Sequence, residues 1–151
     1  MSLFGALAVS ASGMDAQRVR AELITENLAN ADTTRTPQGG PYRRKDAVFT
    51  SASMSNAASF GESFAQAMSG GSNGSLEGVS VSRINIDETD PERRYLPGHP
   101  DADPQGYVAF PKISPAEEMV DLMAASRGYQ ANVTAIASVK DMIARSIELF
   151  R

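Results

Sequence analysis

The chain has 151 residues, 42% of them hydrophobic, which is room for one domain or one domain with an appendage. A formal net charge of -4 argues against the concentrated basic face that nucleic-acid binding needs. The absence of cysteine excludes disulfides, thiolate metal ligands and cysteine nucleophiles, and no apolar run approaches the roughly 18 residues needed to span a bilayer.

The first segment, about Leu3 to Ala31, is helical in period and free of proline, with Gly13 as its one glycine beyond the first turn. Leu3, Leu7, Ser10, Met14, Gln17, Ala21, Ile24 and Leu28 fall on one stripe, spaced by three and four. The start is apolar like a secretory signal, but it lacks a basic region and its pattern runs on as helix, so it is expected to be retained. A cluster of turn formers from Asn30 through Pro37, Gly39, Gly40 and Pro41 stops the helix.

A strand is expected over Tyr42 to Thr50, with Arg43-Arg44-Lys45 read as a solvated strand or rim. From Ser51 to Gly78 the composition turns to Ser, Gly, Ala and Asn, the signature of a loosely ordered insert. Within it Phe60, Phe64 and Met68 sit at helical spacing, as a short docked helix would place them. Val79, Val81, Ile84 and Ile86 give the clearest strand pattern. Its parity switches between Val81 and Ile84, as at a bulge or where both faces are covered. Short strands at Arg93 to Leu96 and Gly106 to Phe110 complete a small β-rich centre.

The last helix announces its start. Ser114 is a good N-cap, Pro115 fits the first helical position, and Glu117 completes a capping box. From there to Phe150 an a/d seam runs through Met119, Leu122, Ser126, Tyr129, Val133, Ile136, Lys140, Ile143, Ile147 and Phe150, broken only by Ser126 and Lys140. The expected fold is mainly α: long N- and C-terminal helices (1–35 and 114–151) pairing as an antiparallel coiled coil, around a β-rich centre (36–113). Further apolar residues flank both seams, Val9, Val19 and Leu23 in the first helix and Val120, Met123, Val139 and Met142 in the last, so these stripes ask for more partner surface than one helix offers.

Chemistry has little to work with. The one histidine, His99, lies in a Gly-Pro turn with no nucleophile motif beside it. Gly70-Gly71-Ser72-Asn73-Gly74 lacks the lysine and the flanking strand of a phosphate loop. Asp101-Ala102-Asp103-Pro104-Gln105-Gly106 copies the opening of a calcium loop, but position twelve is Lys112 where a bidentate glutamate belongs. No catalytic residue, metal, cofactor or small-molecule substrate is expected.

Asn27-Leu28-Ala29-Asn30-Ala31-Asp32-Thr33, together with Glu118-Met119-Val120 and Ser126-Arg127-Gly128-Tyr129-Gln130-Ala131-Asn132-Val133, resembles the two terminal signatures of the bacterial flagellar basal-body rod and hook proteins. Tyr95-Leu96-Pro97-Gly98-His99-Pro100, Gly106-Tyr107-Val108 and Val139-Lys140-Asp141-Met142 resemble the proximal-rod member of that family. The resemblance implies a structural subunit of the flagellar rod, the periplasmic drive shaft, leaving the cell uncleaved through the flagellar type III export apparatus. Implied partners are further copies of itself, neighbouring rod proteins and the adapter joining rod to MS ring. Expected interface residues are the two seams, with Asn27, Asn30, Gln130 and Asn132 as register-fixing amides and Arg127 and Tyr129 beside them. The alternative, from a different class, is a soluble coiled-coil adaptor or export chaperone.

Overall fold

A computed structural model of the chain describes residues 3–53 and 77–149. Among these residues two helices carry the fold: α1 spans Leu3–Ala29 and α2 spans Pro115–Leu149. At 1.5 Å per residue α2 is on the order of 50 Å long. The expected short helix at Phe60, Phe64 and Met68, most of the serine-rich insert, and Phe150 lie outside the described residues.

Between the helices stand two separate two-stranded antiparallel ribbons rather than one sheet. β1 (Lys45–Ser53) pairs with β2 (Glu77–Ile86), and β3 (Glu92–Tyr95) pairs with β4 (Tyr107–Phe110). The register passes from Val48↔Arg83 to Phe49↔Val81, so Ser82 is the extra residue of a bulge on β2. That is where the apolar parity switches in the sequence. The first strand starts at Lys45 and not at Tyr42. The reason is that Tyr42 belongs to the preceding turn, its N–H donating to the Thr33 carbonyl (3.0 Å). Gly39 (φ 90°) and Gly40 (φ 76°) supply the left-handed turn that makes this return.

α2 begins as its sequence demands. The Glu117 N–H donates to Ser114 Oγ (3.5 Å) and the Glu118 N–H to the Ser114 carbonyl (3.0 Å). β2 is tied to α1 by Ser12, whose Oγ accepts the Val79 N–H at 3.1 Å.

The contacts between α1 and α2 run in opposite senses along the two helices. A Cβ on Gly13 would meet Asn132, one on Gly128 would meet Gln17, Arg20 reaches Asp121, and Asn27 reaches Glu118. Glycine on each helix thus opens a notch for an amide of the other. A side chain at Gly13 would come within 2.9 Å of Asn132 Oδ1, so the close approach depends on its absence. The buried apolar residues here are few and mostly small: Ala16, Leu23, Ile24, Ala125 and Val139.

Candidate assembly site

The most buried side chains at the base of the helix pair are polar. Asn27, near the end of α1, is fully buried, and Glu118, in the first turns of α2, is 1% exposed. Asn27 uses every hydrogen-bonding atom it has. Its Nδ2 donates to the Lys45 carbonyl (2.9 Å) and to Glu118 Oε2 (3.3 Å), while its Oδ1 accepts the Lys45 N–H (2.9 Å) and the Tyr42 hydroxyl (3.1 Å). One side chain therefore fixes α1, α2, the start of β1 and the turn before it.

Arg44 completes the network. Its Nε donates to Glu118 Oε1 (2.5 Å), and its terminal nitrogens reach Asp46 (2.5 Å) and Asp121 (3.5 Å). Asp121 also receives Arg20 of α1 at 3.3 Å. Partial burial works against the Arg44 charge, yet Glu118, Asp46 and Asp121 outweigh it and hold the guanidinium above its ordinary value. A solvated rim was expected for residues 43 to 45; only Arg43 is exposed. Lys45 pairs with Glu26 (2.5 Å) and lies over the Tyr42 ring. The expectation fails because a buried carboxylate on a distant helix needs a cation, and α2's position supplies that carboxylate to this stretch.

Burial, followed by the nearby Glu26 carboxylate, pushes the Tyr42 phenol up to about 12. Its folded value lies above the ordinary one near 10, so the neutral phenol is favoured by the fold. Stability from this group is complete below about pH 10 and is lost as pH rises toward about 12. Alkaline titration by tyrosinate absorbance should show Tyr42 as the last of the four tyrosines to ionise. Tyr42→Phe should remove that last component and flatten the stability loss across the same window.

Away from the network the surface changes character. Glu118, Ala125 and Val139 are buried with Asn132 half-buried, and Leu122, Ile136 and Ile143 are half-buried between them. α1 therefore covers a stripe of α2 lying one position toward the N-terminus of Met119, Ser126, Val133 and Lys140. Ser126 and Lys140, which interrupt the apolar pattern, are exposed, as is Tyr129. Val133 remains half-buried. Well exposed on α2 are Met119 (50%), Val120 (60%) and Met123 (53%), with Met142 and Ile147 (66%) further along. Arg127 and Gln130 are exposed on the same helix.

On α1, Ile24 and Asn27 are buried, while Leu7, Met14, Leu28 and Asn30 are half-buried. Asn30 binds its own helix, Nδ2 donating to the Glu26 carbonyl and Oδ1 accepting from Thr33. Leu3 opens α1. Beside Val120 a groove of about 800 Å³ separates the start of α2 from the Asp87–Glu92 turn, with Lys112 and Glu117 on its walls. Among the described residues no helix is long and apolar enough to cross a membrane.

Sequence reasoning reached Asn27 but missed Tyr42, Arg44 and Glu118. The signal for Glu118 was present: a glutamate occupies a position from which the helix repeat 118, 125, 132, 139 runs inward.

Comparison with known proteins finds two family models, one for each end of the chain. The family described as "Flagella basal body rod protein" matches residues 7–35, and "Flagellar basal body rod FlgEFG protein C-terminal" matches residues 105–149. The flagellar basal-body rod protein FlgC of Bacillus subtilis is 42% identical over 99% of this chain and 99% of its own length. That of Borreliella burgdorferi is 38% identical over 100% and 99%, and that of Salmonella typhimurium 36% over 99% and 98%. With such identity across nearly the whole of both sequences, the chain belongs to the FlgC family of flagellar basal-body rod proteins.

Proposed function

We propose that this chain is a non-catalytic structural subunit of the flagellar basal-body rod, assembling with further copies of itself and with neighbouring rod proteins. The relatives' names support this reading, and the surface of α2 carries it further. Met119, Val120 and Met123 lie well exposed on it, a cluster of large apolar side chains that a solitary domain has no reason to present. In this reading α1 and α2 are an antiparallel coiled-coil pair, with residues 36–113 as a β-rich outer part. Leu122, Val133, Ile136 and Ile143 serve the intramolecular seam, and Met119, Tyr129, Ile147 and the flanking Arg127 and Gln130 face other subunits. The work is done in the periplasm, after export through the flagellar type III apparatus without a cleaved signal, and the adapter to the MS ring is among the contacts.

The test uses exposed positions, because Ile136→Asp would also injure the helix pair. Val120→Asp combined with Met123→Asp should leave helical content and melting temperature near those of the parent, since both side chains are more than half exposed. In cells whose sole copy carries the double change, swimming should be lost and isolated basal bodies should lack a complete rod. Normal swimming would remove α2's outer face from the assembly surface.

A further inference from the structure

The chain's one histidine sits where a proton would rearrange a tertiary link. Asp101 links the loop leaving α1 to the turn between β3 and β4. Asp101 Oδ2 accepts the Thr34 hydroxyl (2.8 Å), and Asp101 Oδ1 lies 3.7 Å from Arg35. The backbone N–H of the same Asp101 donates to His99 Nδ1 at 3.1 Å, and Asp101 Oδ2 lies 4.0 Å from that nitrogen. We propose that His99 is a proton-operated latch: with Nδ1 bare it anchors Asp101 so that the carboxylate holds Thr34, and proton uptake at Nδ1 breaks that anchor and redirects the carboxylate to the imidazolium.

The chemistry follows from which atom is used. A neutral imidazole has one bare nitrogen, and the Asp101 N–H requires that nitrogen to be Nδ1, which puts the ring proton on Nε2. A proton added to Nδ1 makes it a donor facing another donor, so the 3.1 Å bond cannot survive. Asp101 Oδ2 is an acceptor 4.0 Å from that nitrogen, and closing the gap moves the carboxylate relative to the Thr34 hydroxyl it now holds at 2.8 Å.

Other charges around the ring do not pre-empt this exchange. Arg35, from the α1 exit loop, shares the same carboxylate. From β4 the neutral ring of Phe110 packs edge-on to His99 (centroids 6.4 Å apart), and Arg94 of β3 lies over that ring at 4.9 Å. Asp103 is committed to its own turn, its Oδ1 accepting the N–H groups of Gln105 and Tyr107. Thr34, Arg35 and Pro41 on one side and Pro100 and Asp101 on the other line a cleft of about 330 Å³, so release of the Thr34 bond frees one wall of an existing opening. The latch does not depend on where the protein works. Its use, as a response to the pH outside the cytoplasmic membrane, rests on the rod reading above.

The test is a titration of the full ¹⁵N-labelled chain by NMR from pH 8 to pH 5. The imidazole nitrogens should report the Nε2–H tautomer at pH 8. The Asp101 and Thr34 amide signals should then shift together, with the same midpoint as the His99 ring. In His99→Asn, whose side-chain oxygen takes the place of Nδ1 without titrating, both amides should stay still over that range. The latch is overturned by an Nδ1–H tautomer at pH 8, by Asp101 and Thr34 signals that do not follow the ring, or by equal shifts in His99→Asn. The tautomer and the wild-type midpoints decide the question even where the variant folds poorly, and neither depends on motility.

Discussion

Asn27→Asp, a change of one NH₂ group for an oxygen, is expected to cost about 3–5 kcal/mol of folding stability at neutral pH. Aspartate keeps the acceptor for Tyr42 and the Lys45 N–H but loses both donated bonds, to the Lys45 carbonyl and to Glu118. A buried acceptor left unmatched costs about 1–3 kcal/mol. The larger part is electrostatic, because the new oxygen stands where Nδ2 now lies, 3.3 Å from Glu118 Oε2. If both carboxylates stayed ionised they would repel by about 5 kcal/mol at an effective dielectric near 20, and a proton kept between them holds the total cost below that sum. Two carboxylates sharing one site retain a proton between them, so the folded variant binds more protons than its unfolded chain. The deficit should therefore shrink as pH is lowered and grow as it is raised. Urea unfolding at pH 5 and pH 7.5 measures this, with Asn27→Ala as the uncharged comparison. A deficit that does not change with pH would mean that the amide's role is packing alone.

Arg44→Met should destabilise the protein far more than Glu118→Met does, although the two residues form one ion pair. Removing Arg44 strands a carboxylate that is 1% exposed, with Asn27 Nδ2 as its remaining partner in the network. Stranding a buried charge costs about 3–5 kcal/mol. Removing Glu118 leaves Arg44 with Asp46 and Asp121, on a side chain already 28% exposed, so the cost should be about 1–2 kcal/mol. The double variant should be more stable than Arg44→Met alone, because an apolar pair of similar volume replaces the orphaned charge. Denaturant unfolding of the three variants gives the coupling energy. Equal losses in the two single variants would show that the ion pair acts as an isolated unit, with Asp46 and Asp121 contributing nothing.

Local signals carried much of the architecture. Ser114 with Pro115 marks the start of α2 because capping depends on bonds within a few residues. The bulge at Ser82 was legible as a parity switch, since a two-residue period cannot absorb an extra residue silently. Breaker clusters ended α1 within two residues of the expected place. Strand limits were less exact: Tyr42 has a strand-forming side chain, but its backbone is spent on Thr33.

The register of the helix pair was not legible, and the two interruptions at Ser126 and Lys140 were its trace. Moving one position back replaces them with Ala125 and Val139, both buried, at the cost of placing Glu118 and Asn132 inward. Sequence pattern counts a glutamate and an asparagine as outward residues, because burying either without partners is costly. Here Arg44, 74 positions away in the chain, pairs with the glutamate, and Gly13 leaves room for the asparagine. The sequence by itself determined the two end helices, the Ser114 cap of the second and the bulged strand, all of which rest on neighbours within a turn or two of backbone. Only the tertiary structure decided which stripe of α2 α1 covers and which stays open, because that choice turns on distant polar partners, and hydrophobic periodicity records none of them.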